Sequence, residues 1–152
     1  MTLFKQSLAV SPVSWPVALG HWLLRVAVGL MIFYVHGLHK LAGGIAYARH
    51  GTPWPLVEDV VKMHAPAPLA SAWAATIIQL VCSLFIVAGL FTRINALLLT
   101  GALCGAIPQN LLAARDPQLA ILYTLVIGSL AFMGGGQFSL DAKLFGEPNP
   151  TR

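Results

Sequence analysis

The sequence predicts an all-α membrane protein, an antiparallel bundle of four transmembrane helices with a short amphipathic interfacial helix between the first and second spans. Composition is the first reason: 57% of the 152 residues are hydrophobic and 9% are charged, whereas soluble domains are about a quarter charged. The mean hydropathy of +0.77 says the same. The second reason is length. Four apolar stretches, residues 17–41, 69–91, 94–113 and 119–133, match what a helix rising about 1.5 Å per residue needs to cross a hydrocarbon core of about 30 Å. The third is pattern: nothing alternates with period two as a barrel strand would, so helices are the way to satisfy the backbone in lipid.

Along the chain, the opening MTLFKQSLAVSPVSWP is interrupted by Pro12 and Pro16, which argues against a cleaved signal and for a retained first span. Only Thr92 and Arg93 separate the second and third stretches, and residues 114–118 separate the third and fourth, so consecutive helices must run antiparallel. The long connection, residues 42–68, contains TPWPLVEDVVKMHAPAP. There Leu56, Val57, Val60, Val61 and His64 recur at helical spacing between proline stops, predicting the interfacial helix over 54–66. Its simplest role is a cap on the bundle; the functional alternative is a lid over a lateral opening. A tail over 134–152 completes a single domain, 1–152.

The net charge of +4 comes from few residues placed outside or at the ends of the apolar runs. They read as topology signals and contacts to membrane lipid, with no nucleic-acid partner. Lys5, Arg93, Lys143 and Arg152 would share one side, against Lys40, Arg49, Lys62 and Arg115 on the other. That is a tie. The place of Arg25 in the first half of its span, and Glu58 and Asp59 in the long loop, favour cytoplasmic termini in the cell (cytoplasmic/inner) membrane.

A charged group in a span costs about 2.5–3.5 kcal/mol on insertion scales and usually faces the bundle interior. Arg25 is such a group. Helical spacing puts His21, Arg25, Gly29, Ile32 and His36 on one face, continued by His39 and Lys40. Either the cations snorkel to the two headgroup layers, or Arg25 meets a partner inside the bundle. No Asp or Glu occurs in any span, so the candidate partners are Gln79, Gln109, Asn110 and Tyr123. Gln79 is equally readable as interhelical packing glue. In the second case a polar cavity, where a ligand oxygen or carboxylate shares Arg25, is expected near His21, Arg25 and Gln79, with His36, His39, Gln109, Asn110 and Tyr123 as further polar lining.

His36 and His39 are spaced to share a metal, but no further ligand constellation joins them, and no metal site is predicted. Cys82 and Cys104 fall at equal depth on neighbouring helices if the turn centres on Arg93. An apolar setting makes them inert packing residues more readily than a redox pair. Gly101 and Gly105 form a small-residue ridge that internal packing suffices to explain, with a homo-oligomer as the alternative use. Pro108 frees a backbone carbonyl one turn before the polar Gln109 and Asn110 and marks a kink.

Three stretches, in order, resemble the DoxX family of small four-span membrane proteins: LLRVAVGLMIFYVHGLHKLAG, VAGLFTR and GGGQFSLDAKLFG. The residues that carry the resemblance are Arg25, Gly29, His36, Gly37, Lys40, Gly89, Arg93, Ser139, Leu140 and Asp141. Many relatives have a Glu near the place of Gln79, a His near Gln109 and Asn110, and a basic residue at the place of Gln137. The family includes the membrane subunit of an archaeal thiosulfate:quinone oxidoreductase. The resemblance therefore implies a small membrane subunit of an oxidoreductase or respiratory-type complex that offers a quinone-accessible site to a cofactor-bearing protein partner. It is not a complete enzyme by itself. No flavin, haem or iron–sulfur motif is visible, so no covalently bound cofactor is expected; the ligand the resemblance implies is a quinone, its headgroup near His21, Arg25 and Gln79, since a quinone carbonyl needs a donor once it leaves the headgroup layer. The alternative is a non-catalytic anchor or assembly factor. A carrier is disfavoured, since no inverted repeat is present.

Overall fold

The computed structural model describes residues 14–145, and within them the chain is helical with no strand. The opening stretch with Lys5 and Pro12, and the end of the tail with Gly146 and Arg152, lie outside the described residues. α1 (Trp15–Met31) starts with Pro16 in its first turn, where a missing N–H costs nothing. It continues through a π-helical segment, Ile32–Gly37, into α2 (Leu38–His50). α3 is Pro55–Lys62, α4 Pro68–Ala88, α5 Thr92–Leu112, α6 Gln118–Met133 and α7 Leu140–Phe145.

Three helices are long and apolar enough to cross a membrane: the continuous Trp15–His50, Pro68–Ala88 and Thr92–Leu112. Gln118–Met133 is apolar but shorter, with 16 residues, or about 24 Å of helix. The first helix outlasts the span expected for it. At 36 residues it extends for about 54 Å, far more than a hydrocarbon core of about 30 Å. Its second half, carrying His39, Lys40, Arg49 and His50, is the polar part. It ends at Gly51, whose φ of 65° and N–H to Tyr47 O stop the helix.

The turn between α4 and α5 is built by Gly89. At φ 72° it closes a Schellman motif in which Leu90 N–H reaches Phe85 O (2.9 Å) and Gly89 N–H reaches Ile86 O (3.1 Å). The core between the long helices comprises Ile32, Cys82, Ile86, Ala96, Leu99, Leu103, Tyr123, Ile127 and Leu130. Outside it, large apolar side chains point away from the protein, with Phe132 84% and Leu125 67% exposed. Contiguous apolar surface of that kind is what lipid covers. A second, smaller cluster seats α3, through Trp54, Leu56 and Val60, on Ala72 and Trp73 of α4.

The buried face of α3 is Leu56, Asp59 and Val60, at the i, i+3, i+4 spacing of one helical side. Val61 and His64, expected on the apolar stripe, are exposed. Asp59 replaces them on the inner face because it has partners there. The Gly101–Gly105 ridge also differs from expectation. A Cβ at either position would meet nothing within 4 Å, so no internal packing uses it.

Candidate functional site

The polar residues of the bundle sort into three levels. At one end Arg25, 1% exposed, projects from α1 into the loop that follows α6. Its Nη1 donates to Gly135 O (2.9 Å) and its Nη2 to Phe138 O (2.7 Å). Neither oxygen belongs to the side chains expected as its partners, Gln79, Gln109, Asn110 and Tyr123. Compensating charge comes from Asp141, in the tail rather than in a span. The Asp141 carboxylate accepts the N–H groups of Phe91 (2.7 Å) and Thr92 (2.9 Å), while its own N–H donates to Gly89 O (2.8 Å). Asp141 therefore caps the start of α5 from another element, satisfying donors that a helix N-terminus leaves open. Ser139 caps α7 by accepting Ala142 N–H (3.0 Å).

Glycines make room for this clasp. A Cβ on Gly89 would overlap Arg25 Nη1 and sit 2.5 Å from Ser139 Cβ, and one on Gly135 would sit 2.7 Å from Ser139 Oγ. His21 lies against Gly136, where a Cβ would overlap its Nδ1; its Nε2 and Arg25 Nε are buried with no hydrogen-bond partner among the described residues. Gly29 lets α4 approach in the same way, since a Cβ there would meet Val87 Cγ2 at 2.6 Å.

The middle level is set by Gly37, whose Cβ would meet Leu80 Cδ2 at 2.9 Å; the sequence neighbours His36 and Gln79 share that depth. His36, within the π-helical segment, packs edge-on against Tyr123 with ring centres 5.4 Å apart. Gln79 is 1% exposed. Two buried atoms here, His36 Nε2 and Gln79 Oε1, have no hydrogen-bond partner among the described residues. Tyr123 O–H is directed at Met31 Sδ, 4.0 Å away. Gln79 precedes Gly89, which touches Arg25, by ten residues of α4, or about 15 Å of helix. The structure thus brings His21 and Arg25 to one end, while Gln79 lies next in the chain to Leu80, which packs against Gly37.

At the opposite end from the clasp, a cavity of about 390 Å³ opens between α2, α3 and the end of α5. Its polar lining is His39, Lys40, Asp59, Gln109 and Arg115, and Trp54 and Leu56 are among its apolar walls. Asp59, 7% exposed, accepts from Gln109 Nε2 (3.1 Å) and forms an ion pair with Arg115. Trp54 fits because its neighbours are glycines: a Cβ on Gly43 would lie 2.9 Å from Trp54 Cδ1. Of the expected lining residues, His39 and Gln109 belong to this cavity. Asn110 does not line it, and its backbone oxygen accepts Arg115 N–H (2.8 Å). Sequence reasoning missed Asp59, Arg115 and Trp54 as site residues. The available signal was a carboxylate three residues after Leu56, on the inner face of an amphipathic helix.

Among the described residues no three His, Cys, Asp or Glu side chains cluster to hold a metal. Cys82 is buried in the core and Cys104 is exposed; both are free thiols. A family model described as DoxX matches residues 20–114. No curated protein and no solved structure matches the chain.

Proposed function

Since the chain belongs to the DoxX family of membrane proteins, we propose that it is a small membrane subunit of an oxidoreductase-type complex, receiving a quinone-like molecule for a cofactor-bearing partner. All four apolar helices span the cell membrane in this proposal, with both termini in the cytoplasm. The observation that supports it most is that two buried polar atoms, Gln79 Oε1 and His36 Nε2, lack hydrogen-bond partners among the described residues, while their chain neighbours Leu80 and Gly37 touch. Unsatisfied polar groups in such a place are expensive and commonly await a ligand or water. The two atoms complement both redox forms: an imidazole N–H donates to a quinone carbonyl, and an amide oxygen accepts from a quinol hydroxyl. Electrons come from the partner, because side chains of this kind bind and orient without carrying redox chemistry. Arg25 and His21 serve in this proposal as the closure of the bundle end beside the site.

The test is to purify the chain with its native partners and quantify extracted quinone. A cofactor-bearing partner with near-stoichiometric quinone, and loss of the quinone but not the partner in Gln79→Leu, is the expected result. A partner retained without quinone supports a non-catalytic anchor instead. That second role is favoured by one observation: Arg25, Gly89, Ser139 and Asp141, which carry the family resemblance, are all engaged in closing the fold.

A further inference from the structure

We propose that the cavity beneath α3 binds one acidic amphiphile, its anionic head beside Lys40 and Arg115 and its apolar chain running out along the Trp54 and Leu56 wall. This goes beyond the oxidoreductase assignment and stands whether or not that assignment holds. Four observations carry it. The cavity, about 390 Å³, is within the range of small-molecule pockets, which run from about 300 to 1,000 Å³. Its charge is unbalanced: two cations, Lys40 and Arg115, face one carboxylate, Asp59. That carboxylate is already engaged by the Arg115 guanidinium and the Gln109 amide. Lys40 makes no hydrogen bond and no ion pair within 4 Å among the described residues, so the uncompensated charge in the cavity is positive and selects an anion.

The second half of the ligand follows from the walls. Trp54, Pro55, Leu56 and Ala42 give the cavity an apolar side, and a fully hydrated anion would leave that side wet at a cost. A head carried on a hydrocarbon chain satisfies both halves. Location agrees, since Lys40 and Arg115 lie where long apolar helices give way to polar chain, the depth at which lipid headgroups sit. Basic pockets between membrane helices select acidic headgroups by this combination of charge and apolar contact. Phosphate or carboxylate heads share the chemistry; a lipid and a free anion are its two sources.

The full-length chain, delipidated in detergent, is titrated with phosphatidylglycerol, phosphatidylcholine or inorganic phosphate, and bound species are counted by native mass spectrometry. One phosphatidylglycerol per chain is expected, in preference to phosphatidylcholine. Lys40→Gln is expected to weaken it about fivefold or more, the contribution of one basic residue at a lipid surface. Lys40→Arg keeps the binding, and Lys62→Gln, an exposed cation of α3 outside the cavity, leaves it unchanged. Displacement of the lipid by millimolar inorganic phosphate overturns the amphiphile and assigns the site to a free anion; resistance to phosphate supports the lipid. Wild-type protein with no preference between the two lipids overturns the proposal even if Lys40→Gln fails to fold. So does a helical Lys40→Gln that binds phosphatidylglycerol as the wild type does.

Discussion

The two ends of the bundle each set an arginine and an aspartate in one region, but only Arg115 and Asp59 form an ion pair, while Arg25 and Asp141 are each held by backbone groups. At the Arg25 end both terminal guanidinium nitrogens meet main-chain oxygens, Asp141 caps a helix, and glycines remove every side chain that would hold the parts away from one another. At the Asp59 end the arginine side chain is 49% exposed, Lys40 makes no hydrogen bond or ion pair within 4 Å among the described residues, and a cavity remains. Charge alone does not separate a structural lock from a binding site. What separates them is whether backbone oxygens engage the terminal nitrogens of the charged group, as at Arg25, whose Nε is left without a partner among the described residues, and whether a cavity opens beside it, as at Lys40.

The comparison breaks most severely at Arg25. Replacing it by Leu leaves Gly135 O and Phe138 O without donors and removes the positive charge beside Asp141. A loss of about 3–5 kcal/mol is expected, the scale for removing one partner of a buried charged network. Little folded protein should be recovered in detergent, whereas Arg49→Leu, at an exposed position, should melt within a degree or two of the parent. Gly89→Ala comes next. Its Cβ would collide with Arg25 Nη1, and its φ of 72° disfavours any side chain, so a loss of about 2–3 kcal/mol is expected by thermal unfolding. Arg25→Lys keeps the charge but loses the two-pronged fork, and should sit between Leu and wild type. An Arg25→Lys variant as stable as the parent would contradict a specific role for the fork.

Smaller effects sharpen the contrast. Asp141→Asn keeps one acceptor for the α5 N-terminus and loses the charge, for about 1 kcal/mol of destabilisation. At the other end, Asp59→Asn should alter melting by less than about 1 kcal/mol, because its arginine partner is half in water. It should instead tighten binding of acidic amphiphiles, since it removes the only carboxylate that lines the cavity among the described residues. A large fall in melting temperature with unchanged lipid binding would reverse the roles given to the two ends.

Much of the fold was legible from length and hydropathy, because a span of fixed thickness demands apolar runs of a fixed size. The ends of α4 and α5 lie within three residues of those expected for the same reason, but the turn falls at Gly89–Phe91, ahead of the expected Thr92–Arg93 junction, and Thr92 and Arg93 belong to α5. The partner of Arg25 was not legible. Backbone oxygens carry no sequence signature, and the search for a side-chain partner passed over the loop that supplies them. The π-helical turn around His36 left no trace either, since its residues are ordinary helix formers in lipid. The cavity was seen only in part: His39 and Gln109 stood out as polar residues near span ends, while Asp59 and Arg115 were read as loop charges. Their meeting depends on how α3 folds back, a tertiary fact that helical spacing does not contain.

One measurement tests the division of roles most directly: the change in melting temperature on adding phosphatidylglycerol to delipidated wild type, Arg25→Lys and Lys40→Gln. Ligand that binds only folded protein raises its melting temperature by mass action. The division of roles predicts that Arg25→Lys melts lower than wild type without lipid yet gains the full shift, while Lys40→Gln melts like wild type without lipid and gains little. A shift lost in Arg25→Lys and retained in Lys40→Gln would contradict it.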